Sequence, residues 1–145
     1  MKPFEMEPVL RYRKQTEDTA RQNLLKSQLR EEEIREHRDD LCRQLDILHQ
    51  QIREMSVQGT DADQLLRHHI WMDTVKARLA SAEKKLAREK KRSKRKRARL
   101  LTASKERKAL EKLRDQQNHT YQQLQRSREA ASIDETAILR FNHKP

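Results

Sequence analysis

Glycine is almost absent from this sequence: Gly59 stands alone among 145 residues. Only glycine takes a positive φ at little cost, so a globular domain built around many turns is excluded by that count. Proline is confined to Pro3, Pro8 and Pro145, where it interrupts no helix interior. Aromatic residues make up 3% of the chain against 39% charged residues, too little apolar bulk for a multilayer core. A single cysteine, Cys42, permits no internal disulfide and suits a reducing cytosol. No apolar run approaches the roughly 20 residues that cross a bilayer. Met1–Glu5 begins no signal peptide, since no apolar stretch follows its charge. Together these absences predict a soluble, intracellular protein.

What is present is helix-forming. Leu, Arg, Lys, Gln, Glu and Ala dominate, and β-branched residues are few. High charge with low hydrophobicity is also the signature of disorder, but the apolar residues here are periodic rather than scattered. Ile34, Leu41, Leu45, Leu48, Ile52 and Met55 step by seven, four, three, four and three, an a/d seam of the kind that packs against a partner helix. Upstream the pattern is looser, through Leu10, Leu24, Leu25 and Leu29. Beyond the glycine, Leu65, Met72, Leu79, Leu86 and Leu100 share one heptad position, with Ser93 as the gap. Val75, Ala82, Ala103, Leu110, Gln117 and Leu124 share its companion.

Two seams joined by one short bend predict an all-α fold, a long antiparallel two-helix coiled-coil hairpin. Helix 1 is placed at 8–57, the bend at 58–61, helix 2 at 62–130 and a C-terminal tail at 131–145. Thr60, with Asp63 three residues on, is placed as the cap of helix 2. Folding at Gly59 makes the numbers of facing residues sum to roughly 120. Met55 then meets Leu65, Leu45 meets Val75, Leu41 meets Leu79 and Leu10 meets Leu110. Residues beyond about 117 have no counterpart in helix 1, so helix 2 overhangs a stem of roughly 75 Å.

Charge is as uneven as hydrophobicity. The chain carries +11, and the segment Lys84–Arg99 holds eleven Lys or Arg residues and one Glu, a net of +10. By the hairpin register, Glu31, Glu32, Glu33 and Glu36 face the start of this run, near Lys84, Lys85 and Arg88. Opposite its later part lie Arg21, Lys26 and Arg30, with no carboxylate between them. Lys90, Lys91, Arg92, Lys94, Arg95, Lys96, Arg97 and Arg99 are therefore expected to form an uncompensated positive collar. It reads as a solvated face, as a dock for an acidic protein surface, or as a nucleic-acid contact made without sequence preference.

Catalytic constellations do not assemble. His68 and His69, near Asp63 and Asp73, point about 100° apart on a helix and cannot converge on one ion without a second element. Cys42 and His49 share a helix face but have no pocket. Two helices alone also offer no concave cavity for small-molecule chemistry. The chain is expected to be no enzyme, with no cofactor, no metal and no small-molecule substrate. Trp71, near the bend, is placed inside the hairpin, or else serves as an exposed anchor for a partner.

Three stretches carry a resemblance to a known family. The opening Phe4-Glu5-Met6-Glu7-Pro8-Val9-Leu10-Arg11-Tyr12-Arg13, the segment Ser104–Leu113 with Tyr121, and the closing Ile133–Phe141 resemble, in that order, blocks of the flagellar export protein FliJ family. The dense basic run and Thr136, where an aliphatic residue is expected, depart from that pattern. The resemblance implies a cytoplasmic stalk or adaptor of the flagellar type III export apparatus, peripherally associated with the inner membrane. It implies as partners a hexameric export ATPase, the cytoplasmic domain of the export gate and the export chaperones. Related stalks of needle-type secretion share this shape. On this reading Phe4, Met6, Val9, Leu10, Tyr12, Arg13, Leu113, Tyr121 and Leu124 are candidates for contact with the ATPase ring, and Trp71 and Val75 for contact with the gate. The alternative is a nucleic-acid-associated coiled coil that uses the run 84–99.

Overall fold

The computed structural model describes residues 4–143. Two helices account for nearly all of them, α1 over Glu7–Gln58 and α2 over Ala62–Asn142, packed against each other as a helical hairpin. Pro8 falls in the first turn of α1, where its missing N–H removes no intrahelical bond. Gly59 ends α1 at φ +80°, the left-handed conformation that caps a helix C-terminus. The cap of α2 is Asp61 rather than Thr60. Its Oδ1 accepts the Asp63 amide at 3.3 Å and its carbonyl accepts the Leu65 amide, while the Thr60 hydroxyl donates to Gln64 Oε1. The segment expected to be a tail from 131 is helical through Asn142. No glycine or proline precedes Pro145 to stop it, and Thr136 returns its hydroxyl to the Ser132 carbonyl.

The packing divides into two units, residues 20–100 and residues 1–19 with 101–145. In the first, the inward positions of α1 step by three and four without a break: 20, 24, 27, 31, 34, 38, 41, 45, 48, 52 and 55. On α2 they run 65, 68, 72, 75, 79, 82, 86, 89, 93, 96 and 100. Leu41, Leu48, Met72, Val75 and Ala82 form its apolar cluster, with Leu45, Ile52 and Leu79 packed on it. The seam is not uniformly apolar. Ser27, Glu89 and Ser93 are buried in it, and the Ser27 hydroxyl lies 3.0 Å from both Glu89 Oε1 and Ser93 Oγ. What reads in the sequence as a gap at Ser93 is one side of a hydrogen-bonded polar layer.

In the second unit Leu10 is fully buried and Ala103 nearly so. Arg107 of α2 binds Glu17 of α1 through Nε and Glu111 through Nη1 at 2.7 Å. The bond to Glu17, and then that to Glu111, raises the guanidinium pKa further above the arginine range. Arg13 reaches Glu106 at 2.7 Å and Lys14 reaches Glu111 at 3.9 Å. These cross-helix pairs have residue numbers near the sum of 120 set by the bend, as do Ser27 and Ser93.

The bend and the polar layer each carry a measurable cost. A Cβ at Gly59 meets nothing within 4 Å, so the cost of Gly59→Ala is that of the backbone alone. Thermal melting followed by circular dichroism should show a loss of about 1 kcal/mol. Within the polar layer, Ser27→Ala withdraws the donor from a buried carboxylate and should cost about 1 kcal/mol. Converting Ser27, Glu89 and Ser93 together to apolar residues that fill the same volume should instead stabilise by about 1–2 kcal/mol, because an apolar layer needs no desolvation of charge.

Candidate partner-binding surfaces

Three surfaces remain once the seam is closed. The first lies in the unit that contains both termini. There α2 continues past the start of α1, and its seam line runs on through Gln117, Tyr121 and Leu124 without a facing helix. Leu113, Gln116, Gln117, Thr120, Tyr121 and Leu124 line an open groove of about 430 Å³. Tyr121 is half-buried, its hydroxyl accepting from Gln125 Nε2, while Leu113 and Leu124 are exposed. Every described residue from Gln122 onward is exposed, including Ile133, Ile138, Leu139 and Phe141. Met6, just before α1, and Val9 and Tyr12 on it are exposed, and Arg13 lies 6.0 Å from the Tyr12 ring centroid. Phe4 is half-buried, its carbonyl accepting the Glu7 amide.

Leu10 does not belong to this surface. It is fully buried, since it sits on the inward line of α1, and a partner cannot reach it. The Arg13 guanidinium is likewise committed to Glu106.

The second surface surrounds the start of α2. Trp71 lies beside the seam position Met72 rather than on it, so the residue stays 44% exposed instead of packing inside the hairpin. Arg78 lies over it at 5.1 Å from the ring centroid, a cation–π contact. Leu66 and Ile70, four residues apart, are exposed on adjoining faces of the same helix. Val75 has no exposed area at all and is a core residue, not a contact for a partner.

The third surface is the basic run. Lys90, Lys91, Arg92, Lys94, Arg95, Arg97 and Arg99 are exposed and Lys96 is half-buried on the seam line. Successive helix positions turn by about 100°, so these side chains cover both flanks and the back of α2. Among the described residues, Arg92 with Glu89 at 3.3 Å is the one salt bridge any of them makes. Among the described residues no salt bridge joins the acidic cluster of α1 to the start of the run. Glu31 and Glu32 are taken by Arg35 of their own helix, at 3.0 and 2.9 Å. The three- and four-residue spacing brings those partners together on one helix face before α2 is reached.

Apolar periodicity misses the buried polar side chains. Ser93 shows in it only as a gap, while Glu17, Ser27 and Glu89, also at seam positions, are found only by extending the heptad through them regardless of residue type. Among the described residues no helix is long and apolar enough to cross a membrane, and no group of three His, Cys, Asp or Glu side chains could hold a metal ion.

No curated protein matches this chain. A solved structure described as a YscO homologue from Chlamydia trachomatis is 22% identical, covering 98% of this chain and 96% of that one, with a TM-score of 0.47. The family model for the flagellar FliJ protein matches residues 1–145. With its hairpin of two helices and a family match that spans both of them, the chain belongs to the flagellar FliJ family and is a type III secretion or flagellar export component.

Proposed function

We propose that this protein is a stalk whose terminal unit enters the ring of the hexameric export ATPase and favours the assembled, active ring. The supporting observation is the seam of α2 that outruns its partner helix, leaving Leu113, Tyr121 and Leu124 along an open groove. Met6, Val9 and Tyr12 add exposed apolar surface in the same unit, and Phe4 is half-buried there. A helix end with an uncovered apolar line gains by burial inside a ring, at about 25 cal/mol for each Å² of apolar surface removed from water. Whatever binds only the hexamer shifts the subunit equilibrium toward it. The protein supplies no chemistry of its own on this reading. It acts on the ATPase through population.

The surface around Trp71, with Leu66 and Ile70, is assigned to the cytoplasmic domain of the export gate. An exposed tryptophan is the kind of anchor that dominates interface energetics. The reading also includes export chaperones as partners and a cytoplasmic protein peripherally associated with the inner-membrane apparatus.

ATP turnover measured against ATPase concentration tests the ring assignment. Stimulation should be largest where the ring is partly dissociated and should shrink as the ring saturates. Deleting residues beyond Leu113 should abolish it. Equal stimulation by the deletion and the intact chain would mean that the terminal unit is not what enters the ring. Trp71→Ala provides the complementary case. Turnover should be unchanged, while affinity for the isolated gate domain, read by calorimetry, should fall by about 2 kcal/mol or more.

A further inference from the structure

The basic run has a neighbour that neither the stalk nor the gate assignment uses. Leu25 and Leu29 stand one turn apart on the outer side of α1, 56% and 58% exposed. They lie at the level of the run, because Ser27 between them meets Ser93 of α2 at 3.0 Å. Lys26 and Arg30 are exposed beside them, and the stretch from Ala20 to Arg30 contains no Asp or Glu. The single acid of the run, Glu89, is 4% exposed and turned into the seam on the Ser27 hydroxyl. At this level two exposed aliphatic side chains on the outer side of α1 accompany the cations on the flanks of α2, and carboxylates return one turn beyond Leu29, at Glu32 and Glu33. No aromatic ring occurs within residues 20–31 or 84–100.

We propose that this band binds the surface of an anionic phospholipid bilayer, with Leu25 and Leu29 entering the headgroup region and the surrounding Lys and Arg side chains meeting lipid phosphates. Apolar side chains embedded among cations are the combination that binds an anionic interface, each part adding to the other. Long Lys and Arg stems extend from the flanks of both helices toward such a plane. Lipids are also laterally mobile anions and gather where the cations stand, so the band needs no matched pattern of carboxylates. Duplex nucleic acid would use the charges and leave both leucines in water, and single strands bind by stacking on rings that this band lacks. The site is independent of the stalk assignment. It would hold the protein at a membrane face, although among the described residues no helix is long and apolar enough to cross one.

Flotation of the full chain with vesicles tests this. Phosphatidylcholine vesicles containing roughly a third phosphatidylglycerol should carry the protein at physiological salt, and pure phosphatidylcholine vesicles should not. The variant K90Q/K91Q/K94Q/R95Q/R97Q keeps good helix formers and should lose at least about tenfold in partitioning. L25S/L29S should lose about threefold to tenfold, with the salt dependence unchanged because no charge is altered. Circular dichroism confirms that each variant is helical before it is compared. Three results would each overturn the proposal: no flotation with the anionic vesicles, partitioning indifferent to the leucine pair, or tighter binding to a mixed-sequence DNA duplex at the same ionic strength.

Discussion

Burial of one line of side chains on each helix is the constraint on which everything else in this protein depends. With aromatics scarce and charge dense, the three-and-four line is where apolar surface can leave water. Gly59 sets where the chain reverses, and with it which positions face each other. The polar members of the seam then fix the register. Ser27 with Glu89 and Ser93, and Glu17 with Arg107, are satisfied in this alignment, and a slip by one heptad would leave buried donors and acceptors without partners. Apolar layers hold the helices together, while the polar layers define where they meet.

The surfaces follow from what the seam cannot absorb. A line that continues on α2 after α1 has begun must stay uncovered, which produces the groove from Leu113 to Leu124. Residues one step off the line, such as Trp71, are left on the flank. Cations fill the flanks and back of α2 between Lys84 and Arg99, and the one acid among them is drawn inward to the polar layer. Withdrawing Glu89 from the surface both completes the seam and leaves the band more positive.

The hairpin, the bend and the basic run were legible in the sequence, because each rests on a local signal: heptad spacing, a lone glycine and a run of like charge. The register was legible too, and Arg13 with Glu106 and Ser27 with Ser93 meet where the bend requires. The helix end was not, since the tail expected from 131 lacks any breaker and stays helical to Asn142. Leu10 and Val75 illustrate a different failure. The resemblance nominated them for partner contact, yet both sit on the inward line, and a seam position is covered by the chain's own second helix before any partner arrives. Burial of Glu17 and Glu89 was hidden because hydrophobic periodicity counts only apolar residues and cannot see a polar layer that satisfies itself.

The central claim is that the two helices of one chain face each other in this register. It is tested most directly by a distance between spin labels at Lys26 and Lys94, both exposed, in a Cys42→Ser background and at concentrations too low for dimers. Helices packed 8–10 Å apart, with label arms added, predict a single distribution centred at about 15–25 Å. A distribution at several tens of Å, or one that appears only on mixing singly labelled chains, would contradict the account.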